Sequence, residues 1–207
     1  MLDTSALFIF IPTFFFVSLT PGMCMTLALT LGMTIGVKRT LWMMLGELVG
    51  VTVVAVSAVI GIAAIVLKYP QAFIVMKTLG ALYLAWVGIQ MWRSRGKLAI
   101  PESLEMKQSI SAKTLITQGF ITAIANPKGW AFDIALLPPF INESIPLAPQ
   151  LAILVGLMLL FETVCMLLYA SGGKTLRHLL LKPSNVRTMN RVAGTLMIGV
   201  GGWLFVG

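Results

Sequence analysis

Residues 121–136 read ITAIANPKGWAFDIAL, an apolar run that is interrupted by Asn126-Pro127-Lys128-Gly129. Proline has no backbone donor and clashes with the preceding helical turn, so this stretch predicts a broken helix. In the apolar interior of a membrane, the backbone groups freed by a break need protein partners or a wet cavity. The stretch therefore predicts a polar site inside a membrane-spanning segment.

The break has a counterpart earlier in the chain, and other features recur with it. Three pairs follow the same order in both halves, at separations of 106, 115 and 114 positions: Pro21-Gly22 with Pro127, Glu47 with Glu162, and Lys77-Thr78-Leu79-Gly80 with Arg191-Val192-Ala193-Gly194. The shared order indicates two internal repeats. Repeats with interrupted spans are typical of secondary transporters that bind their substrate at the repeat interface.

The composition places the chain in a membrane. It is 58% hydrophobic and 11% charged, against roughly 25% charged residues in soluble domains. Six apolar stretches approach or exceed the ~20 residues that cross a bilayer: about 5–35, 41–67, 72–92, 114–137, 148–171 and 190–206. Because each half crosses the membrane three times, the second half enters the bilayer from the opposite side to the first. We expect an all-α integral membrane protein, a single domain over 1–207, with six transmembrane helices as two inverted three-helix repeats.

The connections between these spans indicate the orientation. Repeat 1 covers about 1–96 and repeat 2 about 114–207, joined by a cytoplasmic linker over about 97–113. Basic residues concentrate in alternate connections: Lys38 and Arg39; Arg93, Arg95, Lys97, Lys107 and Lys113; Lys174, Arg177, Lys182 and Arg187. Basic loops stay in the cytoplasm, which predicts that both termini lie outside. The net charge of +8 is thus assigned to topology and to membrane lipids rather than to nucleic acid.

Four ionisable residues lie within the predicted spans: Glu47, Lys128, Asp133 and Glu162. An unpaired charge at the centre of a membrane helix costs about 2.5–3.5 kcal/mol, so such residues usually mark a path for substrate or protons. Lys128 follows a new helix N-terminus, and an ammonium with a helix N-terminus forms a site for a carboxylate. Glu162 and Glu47 are candidates for binding an ammonium group or a coupling proton. Asp133 is predicted to lie toward the outer end of its helix and to line an exit.

Structural roles are open for each of these residues. Lys128 could pair with Asp133 or Glu162, and Glu47 could pair with a basic residue at the start of its helix. Gly32/Gly36 and Gly46/Gly50 have the spacing of small residues that let helices approach closely.

Other chemistries have weaker support in the sequence. Met23-Cys24-Met25 has ligands that suit Cu(I), but consecutive helical residues face different directions, and the lone His178 is placed in a basic inner loop. Cys24 and Cys165 are the only cysteines, and both fall in apolar spans. We expect no metal site, no cofactor and no enzymatic activity. A metal-ion exporter and a membrane redox or assembly component remain alternatives to solute transport.

Several segments together resemble the LysE/RhtB family of amino-acid exporters. They are Thr20-Pro21-Gly22, Gly32…Gly36 before a basic pair, Gly46 with Glu47, Leu79-Gly80-Ala81-Leu82-Tyr83-Leu84, and Asn126-Pro127-Lys128. The resemblance covers nearly the whole chain. One departure is Pro21-Gly22-Met23-Cys24, where many members of that family read Pro-Gly-Pro-Asn, so Cys24 cannot supply the usual carboxamide.

The resemblance implies export of amino acids or their derivatives from a bacterial inner membrane in exchange for protons. The expected binding residues for a small zwitterionic substrate are Pro21, Gly22, Cys24, Asn126, Pro127 and Lys128. Glu47, Glu162 and Asp133 are the expected ammonium-binding or proton-coupling residues. A homo-oligomer is compatible with the sequence.

Overall fold

The computed structural model describes residues 4–68, 70–96, 110–137, 140–142 and 145–206, and these residues form helices without any strand. The helices are α1 (Thr4–Leu19), α2 (Met23–Thr34), α3 (Val37–Lys68), α4 (Pro70–Arg93), α5 (Ala112–Ile124), α6 (Pro127–Leu136), α7 (Leu147–Leu181) and α8 (Pro183–Val206). The predicted all-α class is confirmed. Most of the predicted linker, residues 97–109, lies outside the described residues.

Both predicted helix breaks are confirmed. The axis bends by 52° between α1 and α2, where Pro21 and Gly22 separate the two helices. The second break separates α5 from α6, which begins with Pro127 in its first turn, where proline loses no hydrogen bond. Asn126 caps α6, and its side-chain oxygen accepts a hydrogen bond from the Lys128 N–H at 3.1 Å.

The two breaks satisfy their freed carbonyl groups differently. At the second break, the Trp130 Nε1–H donates to the Ile124 carbonyl at 2.8 Å, so the partner comes from the adjoining helix. At the first break, the Tyr169 hydroxyl of α7 donates to the Leu19 carbonyl at 2.8 Å. Lys128 of α6 supplies the other donors. The first break is therefore held by residues of the second half of the chain.

Glycines allow two helix pairs to approach closely. A Cβ at Gly46 of α3 would overlap the Ile116 backbone of α5, and a Cβ at Gly50 would lie 2.6 Å from the Ala123 Cβ. A Cβ at Gly32 of α2 would overlap the Ala170 backbone of α7. These predicted contacts are confirmed, but that for Gly36 is wrong. Gly36 has φ +82° with no atom within 4 Å of a Cβ, and it forms the turn that ends α2.

Helices α4 and α8 cross through a reciprocal glycine contact. A Cβ on Gly88 would lie 2.6 Å from the Gly194 carbonyl oxygen, and a Cβ on Gly194 would lie 2.6 Å from the Gly88 carbonyl oxygen. The Trp92 indole N–H donates to the Thr195 hydroxyl at 2.9 Å along the same contact. The two segments whose sequences match therefore pack on each other.

Two buried apolar clusters occupy opposite ends of the helical assembly. One contains Phe10, Phe140 and Leu154, and the other contains Leu31, Leu115 and Leu180. The outward faces are apolar as well: Leu45, Val49, Val53 and Ile60 of α3 and Leu79, Leu82 and Trp86 of α4 are all exposed. An apolar exterior suits contact with lipid chains.

Length and apolarity identify a subset of these helices as membrane spans. Within the described residues, Val37–Gly61 and Leu147–Gly173 each qualify alone, and Leu7–Leu19 with Met23–Thr34 qualifies as one bent pair. The predicted end of the fifth span at about 171 agrees with the span Leu147–Gly173 and with a kink in α7 at Gly173, whose φ of +49° is not helical. Two other predictions are wrong: His178 lies in the helix that continues from this kink to Leu181 rather than in a loop, and α8 begins at Pro183 instead of 190. Helices extend beyond the apolar segment because their polar turns form the same backbone hydrogen bonds.

Candidate functional site

A polar cavity of about 50 Å³ lies where α1, α2, α3, α5, α6 and α7 meet. Its polar lining consists of Ser18, Thr20, Cys24, Glu47, Asn126, Lys128, Asp133 and Glu162, and its apolar lining includes Phe14, Val17, Met25, Phe132 and Met158. Val17 and Met158 belong to one apolar cluster and Met25 to the other, so the cavity lies between them. A buried water needs about 10–15 Å³, so the cavity has room for a few waters.

Lys128 stands at the first turn of α6 and reaches across to the end of α1. Its ammonium donates to the Val17 carbonyl at 2.7 Å and to the Thr20 carbonyl at 3.2 Å. An ammonium has three N–H donors, so one is left for another acceptor. The alternative of a direct ion pair with Asp133 or Glu162 is not what the structure shows, because the ammonium binds these carbonyls.

Glu47 and Glu162 occupy corresponding positions on α3 and α7, and both contribute to the cavity wall. Glu47 is fully buried, and neither of its carboxylate oxygens has a hydrogen-bond partner among the described residues. The Oε2 atom of Glu162 likewise has none in that part of the chain. Glu162 lies close enough to interact electrostatically with Glu47, Lys128 and Asp133. The alternative pairing of Glu47 with Lys38 or Arg39 is excluded by its unpartnered oxygens.

The N-termini of two half-helices meet at this cavity. Gly22 is the N-cap of α2 and provides no side-chain cap, so the first N–H groups of α2 are not used by a capping side chain. A Cβ on Gly22 would lie 3.9 Å from the Lys128 Nζ, which places the ammonium beside this helix start. An N-terminus and an ammonium together favour a bound anion. Pro21 and Pro127 create these helix starts, while Gly22 and Asn126 form part of the wall.

Cys24 and Asp133 complete the predicted set. The Asn126 side-chain N–H donates to the Cys24 Sγ at 3.4 Å, and the same thiol lies beside Glu47 without the geometry of a hydrogen bond. Asp133 is 4% exposed and lines the cavity. Asp133 is the seventh of the ten residues of α6 and so lies toward the end of that helix, while its role at an exit stays a prediction.

Sequence reasoning missed two residues that shape the site. Ser18 lines the cavity beside Glu162, and its buried hydroxyl has no hydrogen-bond partner within the described ranges. Tyr169 binds the Leu19 carbonyl from α7. It lies seven residues after Glu162 and hence on the same helical face, which is a signal that the sequence carried. Ser18 had no such signal.

Taken together, the cavity offers three carboxyl groups and one ammonium. Both carboxylate oxygens of Glu47 and Oε2 of Glu162 lack donors among the described residues, so they can receive an ammonium group or protons. The free N–H of Lys128 and the start of α2 can receive a carboxylate. No three His, Cys, Asp or Glu side chains in the described part of the chain come together in a way that could hold a metal ion. Cys24 and Cys165 are both buried free thiols.

Comparison with known proteins gives a consistent assignment. The sequence profile described as LysE type translocator matches residues 15–207. An uncharacterized membrane protein of Vibrio cholerae is 30% identical over 185 residues, 89% of this chain and 88% of its own. The homoserine/homoserine lactone efflux protein of Salmonella typhimurium is 27% identical over 197 residues, 95% and 94% of the two chains. The leucine efflux protein of Enterobacter sp. is 28% identical over 187 residues, 89% and 88%. No solved structure gives a significant match.

Proposed function

The chain belongs to the LysE type translocator family, and from this we propose that it is a secondary transporter that exports amino acids or amino-acid derivatives. The names of two relatives describe efflux of homoserine, homoserine lactone and leucine. The observation that carries the proposal is the charge arrangement of the cavity. Three carboxylate oxygens without partners among the described residues, two of Glu47 and one of Glu162, share the cavity with an ammonium that retains one free donor. A zwitterion satisfies both.

The carboxylate of the substrate binds at the junction of α2 and α6. Lys128 provides one N–H, and the uncapped start of α2 provides backbone N–H groups next to Gly22. Half-helix N-termini that bind anionic groups at the membrane midplane are a recurring device of transporters with inverted repeats. Asn126 and Cys24 lie at this junction and contact the part of the substrate nearest to it.

The ammonium of the substrate binds between Glu47 and Glu162. Two unpartnered carboxylates are costly in a membrane interior, and either a substrate ammonium or protons remove that cost. Substrate and protons therefore compete for these groups, and exchange of one for the other couples efflux to inward proton movement. One charge moving inward supplies about 2.3 kcal/mol per 100 mV. Asp133, also on the cavity wall, is the third proton-accepting group of this mechanism.

The proposed architecture has six spans in the inner membrane, as two inverted three-helix repeats with both termini outside. The matching breaks before α2 and α6, the corresponding carboxylates and the α4–α8 contact support the repeats. The basic helix ends support the orientation. Arg39 donates to the Ile110 carbonyl at 2.5 Å, and Arg187 donates to the Arg95 carbonyl at 3.2 Å. Membrane lipids surround the apolar outer faces. A homo-oligomer is compatible with these faces.

The test is efflux from cells preloaded with a panel of labelled amino acids, with and without a protonophore. We expect the overexpressed chain to accelerate loss of one or a few amino acids, and we expect the protonophore to suppress that loss. Lys128→Ala should abolish the acceleration at unchanged protein levels in the membrane. Lys113→Ala is the matched control, because Lys113 is an exposed lysine of α5 outside the cavity.

Two results would contradict the proposal. Unchanged efflux by Lys128→Ala would remove this lysine from the mechanism. No accelerated loss of any amino acid, with the protein verified in the membrane, would redirect attention to metal ions or to a redox or assembly role. A variant with Cys24 and Cys165 replaced by serine separates a redox role from transport. A redox component loses all function in it, whereas an exporter retains transport because serine keeps a small polar side chain at position 24.

A further inference from the structure

Four arginines surround an open cleft at the end of α4 and the start of α8. The cleft shares no lining residue with the polar cavity. The cleft has a volume of about 490 Å³ and is lined by Trp92, Arg93, Ser94, Arg95, Pro183, Arg187 and Arg191. Among the described residues, no acidic side chain contributes to this lining. We propose that this arginine cleft binds the phosphate headgroup of an anionic phospholipid.

The cleft is fixed by contacts between the two helix ends. The Arg187 Nε–H donates to the Arg95 carbonyl at 3.2 Å, and the Asn190 side-chain N–H donates to the Ser94 hydroxyl at 2.9 Å. Gly96 has φ +68°, and a Cβ there would overlap the Pro183 carbonyl oxygen. The chain after α4 is therefore held closely against the start of α8, which brings arginines of both helix ends to one cleft.

The charges in the cleft need an anion. In the part of the chain that the structure describes, none of the four guanidinium groups forms an ion pair with an acidic side chain, so four like charges line one cleft. Arg191 also contacts an aromatic ring: its guanidinium lies 5.1 Å from the centre of the Trp92 ring, a favourable cation–π distance. Guanidinium groups bind phosphate through two parallel N–H donors. A phosphate group is therefore the anion of best chemical fit.

The position of the cleft favours a lipid as the source of that phosphate. Trp92 is 46% exposed, and exposed tryptophans at span ends lie at the headgroup level. The apolar faces of α4 continue directly from this end, so they can contact the acyl chains of the same molecule. Basic pockets between transmembrane helices on the cytoplasmic side bind anionic headgroups. The volume accommodates a headgroup with two phosphates, such as cardiolipin.

The experiment measures binding of cardiolipin to the purified full-length protein by native mass spectrometry, with phosphatidylcholine and inorganic pyrophosphate as parallel ligands. We expect cardiolipin to bind and phosphatidylcholine not to bind measurably. The double variant Arg187→Gln/Arg191→Gln should weaken cardiolipin binding roughly 30-fold, at about a factor of five for each arginine. Arg93→Gln/Arg95→Gln, which changes the other helix end, should give a similar loss.

The matched control is Lys38→Gln/Lys113→Gln, which removes two basic residues outside the cleft and should leave cardiolipin binding within about two-fold. Equal weakening by this pair would show a general charge effect and would overturn the assignment. Wild-type binding by both arginine pairs would also overturn it. Binding of pyrophosphate as strong as that of cardiolipin would assign the cleft to a soluble phosphate and overturn the proposal. Melting of each variant without lipid shows whether it is folded.

Discussion

Tyr169 shows how one side chain can hold a broken helix in a membrane. Its hydroxyl donates to the Leu19 carbonyl, which is freed because Pro21 and Gly22 stop α1 from continuing into α2. Tyr169 is 1% exposed, so water cannot replace this donor. A buried carbonyl without a donor costs about 1–3 kcal/mol. This single hydroxyl therefore supports the end of α1, where the Val17 carbonyl accepts a hydrogen bond from Lys128.

Replacing Tyr169 with phenylalanine should lower the free energy of unfolding by about 1–3 kcal/mol, because the ring still packs while the Leu19 carbonyl loses its donor. The matched control is Tyr83→Phe, since Tyr83 is an exposed residue of α4. Thermal unfolding in detergent compares the two. Equal melting temperatures for Tyr169→Phe and the wild type would show that the hydroxyl contributes nothing.

The candidate site could be predicted only in part at this scale. Glu47, Lys128 and Glu162 were predictable because charges are conspicuous in apolar sequence, and all three line one cavity. The bond from Lys128 to carbonyls of α1 was not, because it depends on where two helices cross. Ser18 was missed for a related reason, since a serine in an apolar run does not reveal what it faces.

Helix–helix contacts depend on the absence of side chains at a few glycines. Gly119 of α5 lies against the α3 backbone beside the site: a Cβ there would overlap the Met43 carbonyl and lie 2.9 Å from the Glu47 backbone nitrogen. The position of Glu47 therefore depends on how closely α5 approaches. This links packing between the helices directly to the geometry of the cavity.

Gly119→Ala should destabilise the protein by about 1–3 kcal/mol through overpacking, and it should impair efflux because α3 shifts at Glu47. Gly156→Ala in α7 should leave both properties unchanged, since no atom lies within 4 Å of a Cβ there. Melting temperature and initial efflux rate are the measurements. A Gly119→Ala protein with wild-type stability would show that the α3–α5 contact adjusts freely.

The positions of the helix breaks could be predicted because they depend on neighbouring residues in the sequence. The pairs Pro21-Gly22 and Asn126-Pro127 located both breaks, whereas Pro12, which has no glycine or asparagine neighbour, lies within α1. Helix ends were less predictable: hydropathy reports where the chain is apolar, whereas α8 already begins at Pro183 with a polar first turn. The prediction for Gly36 was wrong because a spacing of four from Gly32 places both glycines on one helix face only if the helix continues. Helix α2 ends at Thr34, before Gly36.

For the whole molecule, the proposed inversion of the two halves fixes which side each connection faces. The predicted orientation places residues 97–113 in the cytoplasm and residue 207 outside. Contacts at the helix ends near Arg39, Arg95 and Arg187 gather basic residues as the positive-inside rule requires. An odd number of spans in each half is essential to this arrangement.

Alkaline phosphatase fused after Gly207 should be active, because the enzyme folds only outside the cytoplasm, and the same fusion within residues 97–109 should be inactive. A green fluorescent protein at the same two positions is the reciprocal control and should fluoresce only in the linker. Phosphatase activity at the linker, or its absence at the C-terminus, would contradict six spans with both termini outside.

The first break also has a consequence for biosynthesis. The Leu19 and Thr20 carbonyls receive donors from Tyr169 and Lys128, which the ribosome adds more than a hundred residues later. The second break needs no such delay, because Trp130 follows Ile124 closely. During translation the first half therefore remains incomplete until α7 emerges. A chain truncated at the linker would keep these carbonyls exposed and would be a natural target for membrane quality-control proteases.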